Sequence, residues 1–130
     1  MVLRPLPYLT FCLSGALLAA CQDPSPTRPP APVQAGICWF TSSTGRFVPL
    51  DQEVANIETC AARLEVVYLQ KGQPVTGAYE GSYVFIDAKT IARAGSAGPP
   101  LPLIGPDDRQ RIDADIRRLQ AAKDAEAKGP

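Results

Sequence analysis

Val75-Thr76-Gly77-Ala78-Tyr79-Glu80-Gly81-Ser82-Tyr83-Val84-Phe85-Ile86-Asp87 reads as two strands around a tight turn. β-Branched and aromatic side chains crowd both arms. A two-residue loop ending in glycine is a strong hairpin signal. In that register Ala78 faces Tyr83 and Val75 faces Ile86. Successive side chains alternate between faces. Val75, Tyr79, Val84 and Ile86 therefore share one face, and Thr76, Ala78, Tyr83, Phe85 and Asp87 the other. Thr90 to Ala94 is either a further short strand or the exit of the hairpin.

Working backwards, the segment before the hairpin carries helix signals at both ends. Asn56 is a candidate N-cap, with Asp51 as an earlier alternative, and Glu58 suits the positively polarised first turn. Ile57, Cys60, Ala61, Leu64, Val67 and Tyr68 recur at three- and four-residue spacing and form one apolar face. Glu58, Arg63 and Glu65 are expected on the solvated side. Lys71 suits the last turn, Gly72 is a C′ glycine and Pro74 blocks continuation. Earlier still, Ile37 to Thr41 reads as a strand and Ser42-Ser43-Thr44-Gly45 as a turn. Arg46 to Leu50 is a possible return strand, which Pro49 would confine to an edge.

The expected fold is therefore α+β: a small antiparallel sheet, ordered strand, possible strand, helix, strand, strand, with one covering helix. Cys38 lies in the first strand and Cys60 on the apolar face of the helix. An exported compartment favours a disulfide between them. Closing a loop of 22 positions would contribute roughly 3 kcal/mol. If Cys38 points at the helix, Phe40 does too, and Trp39 points away. Tyr83 and Phe85 would then join Trp39 on the outer face. Aromatic rings there suit a binding surface, unless part of the chain, such as Leu101-Pro102-Leu103-Ile104, covers them.

Proline is dense in residues 24–32 and 99–106 and sparse between 36 and 94. This places one small α+β domain at residues 37–94, followed by a loop at 95–106. A polar C-terminal helix or flexible tail is expected at 107–128, capped by Asp107 or Asp108, with Ile112, Ile116 and Leu119 as a narrow apolar stripe. Residues 21–36 hold five prolines. They read as an extended tether reaching up to roughly 45 Å at about 3.1 Å per residue.

Composition narrows the function classes. Thirteen Lys and Arg balance thirteen Asp and Glu, so no basic field for nucleic acid exists. There is no histidine, which removes the commonest general base and metal ligand. No nucleophile–base pair, metal cluster or phosphate-binding glycine loop stands out, so no catalytic residue, metal or cofactor is expected.

The opening of the chain localises it. One Arg precedes a thirteen-residue apolar run, Tyr8 to Ala20, too short to span a bilayer as a helix and of the length of a signal peptide. Leu17-Leu18-Ala19-Ala20-Cys21 resembles a bacterial lipobox. The resemblance implies a lipoprotein signal peptide at residues 1–20, removed on maturation, and a lipid on Cys21 that anchors the chain to a membrane. Gln22 after the cysteine implies the outer membrane, facing the periplasm. The segments Cys60–Glu65 and Gly77–Asp87 resemble a family of small uncharacterised proteobacterial lipoproteins, which implies no activity. The strand–helix–hairpin order resembles half of a SPOR peptidoglycan-binding domain, though the family's second helix is missing before Gly95. Small disulfide-stapled lipoproteins that inhibit lysozyme share the general plan. Three expectations follow: a non-catalytic protein-interaction or accessory module in the envelope, a peptidoglycan binder using Trp39, Tyr83 and Phe85, or an inhibitor of an envelope hydrolase.

Overall fold

The Glu80-Gly81 turn closes the hairpin in the expected register, with Ala78 opposite Tyr83 and Val75 opposite Ile86. Glu80 at φ 44° and Gly81 at φ 84° both adopt the left-handed conformation, which matches the twist of the flanking strands. The structure is a computed structural model and describes residues 27–129. The expected signal peptide and the expected lipid attachment at Cys21 lie outside the described residues.

The elements run β1 (Cys38–Thr41), β2 (Phe47–Asp51), α1 (Ile57–Lys71), β3 (Val75–Tyr79), β4 (Ser82–Ile86), β5 (Ile91–Ala94), β6 (Leu101–Ile104) and α2 (Pro106–Ala127). The six strands form one sheet in the order β2-β1-β3-β4-β5-β6, and every neighbouring pair is antiparallel. The α+β class with a covering helix, one disulfide and a C-terminal helix is thus present. The sheet is wider than expected. Residues 101–104 form edge strand β6 in place of a loop, and the ambiguous stretch after the hairpin forms strand β5 at Ile91–Ala94. Each outer strand carries a proline, Pro49 in β2 and Pro102 in β6, where a missing N–H donor is tolerated.

Helix α1 is held at both ends by local chemistry. Asn56 Oδ1 accepts a hydrogen bond from the Thr59 amide at 2.8 Å. Gly72 turns left-handed, and its amide donates to the Tyr68 carbonyl. One face of the helix covers the sheet. Leu64, Val84, Ile86 and Ile91 are fully buried between the layers, beside the Cys38–Cys60 disulfide. Each such aliphatic side chain stabilises the fold by about 1.5–3 kcal/mol. The close approach of helix to sheet depends on Gly77. A Cβ there would stand 2.5 and 2.8 Å from the two Leu64 methyls.

The disulfide ties β1 to α1 across this core, with Cα atoms 5.2 Å apart. Replacing both cysteines by alanine is expected to lower stability by about 3 kcal/mol. A urea midpoint unchanged in the double variant would contradict that.

Helix α2 departs from expectation at its start. Gly105 occupies the N-cap with no side-chain hydrogen bond, and Pro106 opens the first turn. Asp107 and Asp108 are not caps. They sit inside the first turn, where negative charge complements the helix dipole.

Candidate functional site

Two surfaces compete, one on each side of the sheet. On the outer side the strand registers line up Trp39, Ala78, Tyr83 and Ala94 in one row. Phe85 follows Tyr83 two residues along β4, and Phe47 enters from β2 opposite Thr41. The Tyr83 and Phe85 rings lie stacked with centroids 5.8 Å apart, and Phe47 meets Tyr83 at 5.9 Å. Trp39, Tyr83 and Phe85 therefore do lie together, with Phe47 as a fourth ring. The edge pairing of β2 with β1 could have flagged Phe47.

The residues that cover these rings are not Leu101–Ile104, as entertained above. Leu103 and Ile104 pack on the opposite side, against the α1 core. The cover is the proline-rich segment itself. Tyr83 Oη donates to the Pro29 carbonyl at 2.6 Å. The Gly81 amide donates to the Pro32 carbonyl at 2.8 Å. Ala31 is buried against Ala78 and Tyr83. The Arg28 guanidinium stands 5.1 Å above the Phe85 ring. Residues 28–36 are thus a strap bound across the sheet, which corrects the free tether expected there.

This changes what the face can do chemically. Tyr83 is only 6% exposed. Phe85 has Tyr83 stacked on it and Arg28 over its ring. Trp39 Nε1 is buried without a hydrogen-bond partner. Stacking on a sugar needs an open ring face and donors aimed outward. The outer aromatics instead form a second small core under the strap.

On the other side, α1 and α2 meet through one cluster of charge. Glu65 is completely buried, which corrects its expected place on the solvated face of α1. Arg109 of α2 donates from Nε and Nη2 to its two carboxylate oxygens at 2.9 and 3.1 Å. The same guanidinium lies 5.2 Å above the Tyr68 ring. Asp113, one turn on, brings a second carboxylate against Glu65, and its Oδ1 is buried without a partner. Burial, with Asp113 adding to it, raises the Glu65 carboxyl from 4.5 to about 7, while Arg109 pulls the other way.

Beyond this cluster the helices leave a groove of about 550 Å³. Leu50, Val66 and Val67 line one wall, and Ile112, Ile116 and Leu119 the other. No residue of α2 is fully buried, and Leu119 is 62% exposed. Charges of both signs stand along the groove, including Asp51, Arg63, Asp115 and Lys123.

No family model, curated protein or solved structure matches the chain. The choice between the two surfaces rests on their geometry.

Proposed function

We propose that this is a lipid-anchored envelope protein, held by a lipid on Cys21 on the periplasmic side of the outer membrane, that works as a non-catalytic protein-interaction module. The groove between α1 and α2 carries the reading. It is an open groove with an apolar floor, α1 and α2 form most of its walls together with Leu50, and charges of both signs stand along it. An amphipathic helix of a partner fits that chemistry, with its apolar face against Leu50, Val66, Ile112, Ile116 and Leu119 and its charges on the rim. A peptidoglycan-binding role for Trp39, Tyr83 and Phe85 draws no support from rings that the strap already occupies.

Photo-crosslinking in cells tests the proposal by position. A crosslinking side chain at Ile116 or Leu119 is expected to give one discrete adduct, lost when Val66→Asp is added. The same group at Lys89, on the far turn, is expected to give none. Adducts independent of position would remove the groove from consideration. In parallel, the Cys21→Ser chain is expected to stay in the supernatant with purified sacculi. Pelleting that disappears in Trp39→Ala would return the site to the aromatic face.

A further inference from the structure

The strap also decides how far the domain can stand from its anchor. Residues 28–36 are pinned at both ends and in the middle. At one end the Arg28 amide donates to the Ser96 carbonyl at 2.7 Å, and Arg28 Nη1 donates to the Gly98 and Gly95 carbonyls at 3.0 and 3.3 Å. Pro29 and Pro32 receive the bonds described above. At the other end the Gly36 amide donates to Glu80 Oε1 at 3.1 Å, and the Gly36 carbonyl accepts from Val54. Only the sequence between Cys21 and Arg28 then separates the lipidated position from the first pinned residue. Seven residue steps reach at most about 25 Å, against about 50 Å had the whole segment been loose.

The end of the domain at which this span arrives is defined. Gly95 follows Ala94, which pairs with Tyr83 beside the hairpin turn. The turns at Ser42–Arg46 and Asp87–Thr90 lie at the opposite end of the strands, roughly 17 Å away for five residues of strand. Around the near end lies a shallow pocket of about 330 Å³ whose lining includes Arg93, Ala97, Pro99 and Leu101. Leu101 is 59% exposed and Arg93 is exposed. Among the described residues, the lining contains one cation and no carboxylate. An exposed aliphatic side chain beside an unopposed guanidinium is the chemistry of a phospholipid interface, where the apolar group enters below the headgroups and the cation meets phosphate.

From this we infer that the domain rests on the bilayer through the Gly95–Leu101 end, with Arg93 and Leu101 against phospholipid headgroups and the Ser42–Arg46 turn facing away. The inference rests on the lipid at Cys21, and the test separates the two. The full lipidated chain is reconstituted into phosphatidylethanolamine–phosphatidylglycerol vesicles, and flotation is compared with Cys21→Ser. Flotation independent of Cys21 would overturn the anchor and the orientation together. In chains that float through Cys21, a genetically encoded fluorophore is placed at Ala97 or at Thr44, and headgroup-nitroxide lipid is added. Quenching is expected to be at least about twofold stronger at Ala97. Adding Arg93→Glu with Leu101→Asp is expected to reduce that excess, and so is Arg28→Ala, which frees the end of the strap. Equal quenching at the two positions, or an excess unmoved by the Arg93–Leu101 pair of substitutions, would overturn the orientation and leave the anchor standing.

Discussion

Arg109→Ala is expected to destabilise the domain by about 3–5 kcal/mol near pH 8 and by clearly less near pH 5. The substitution leaves Glu65, which has no exposed surface, facing Asp113 without the cation that offsets its burial. The pH dependence follows from linkage. In the folded protein the Glu65 carboxyl is raised from 4.5 to about 7. Between those values the folded state holds a proton that the unfolded chain has released. Stability from this group is therefore complete below pH 4.5 and declines as pH rises through about 7. A shift of that size corresponds to about 3 kcal/mol. Removing Arg109 takes away the influence that lowers the carboxyl, so the penalty grows with pH. Glu65→Gln is expected to flatten the wild-type slope and to relieve most of the cost of Arg109→Ala. Urea unfolding of the four proteins at the two pH values measures all of this. An Arg109→Ala penalty that is the same at both would refute the account, as would a slope that survives Glu65→Gln.

Gly77→Ala is the second large effect, expected to cost about 3 kcal/mol or more. The added methyl meets Leu64 Cδ1 at 2.5 Å and Cδ2 at 2.8 Å, and it also runs into the Trp39 carbonyl oxygen. Leu64 is fully buried at the centre of the core and cannot swing away freely. Trp39 pairs with Ala78 in the neighbouring strand, so its carbonyl cannot retreat without opening the β1–β3 ladder. A double-mutant cycle with Leu64→Ala separates the two clashes. Coupling between the sites is expected, with only partial relief, because the carbonyl contact remains. Full additivity would mean that Leu64 is not what the methyl meets.

The parts of this fold that could be read from sequence are those whose causes are local. The hairpin register comes from two turn residues and the alternation beside them. Helix α1 announces itself through Asn56, its apolar spacing and Gly72. Strand β6 was hidden because four residues containing a proline, with a register shift against β5, leave no alternation to detect. The strap was hidden for another reason. Its carbonyls serve as acceptors for groups such as Tyr83 Oη, 54 positions away, and proline-rich chain has no periodicity to reveal the partner. Glu65 sits directly after Leu64, at the margin of the apolar face. Only Arg109, 44 positions on, tells it apart from an ordinary solvated glutamate. The groove needs both helices in place, so the stripe on α2 alone could not point to it.

The prolines at the two rims of the sheet matter most if the protein is crowded in two dimensions. Under the proposed lipid anchor, copies would share one plane with similar orientation, an arrangement that favours strand-to-strand joining between neighbours. Pro49 and Pro102 each delete a donor from the outermost strands. The β1–β2 and β5–β6 ladders are also irregular, between Cys38 and Trp39 and between Ile91 and Ala92, which bends an edge away from a flat template. Copies packed side by side in one leaflet would thus find no straight, fully hydrogen-bonding rim to extend, and each sheet would end at its sixth strand.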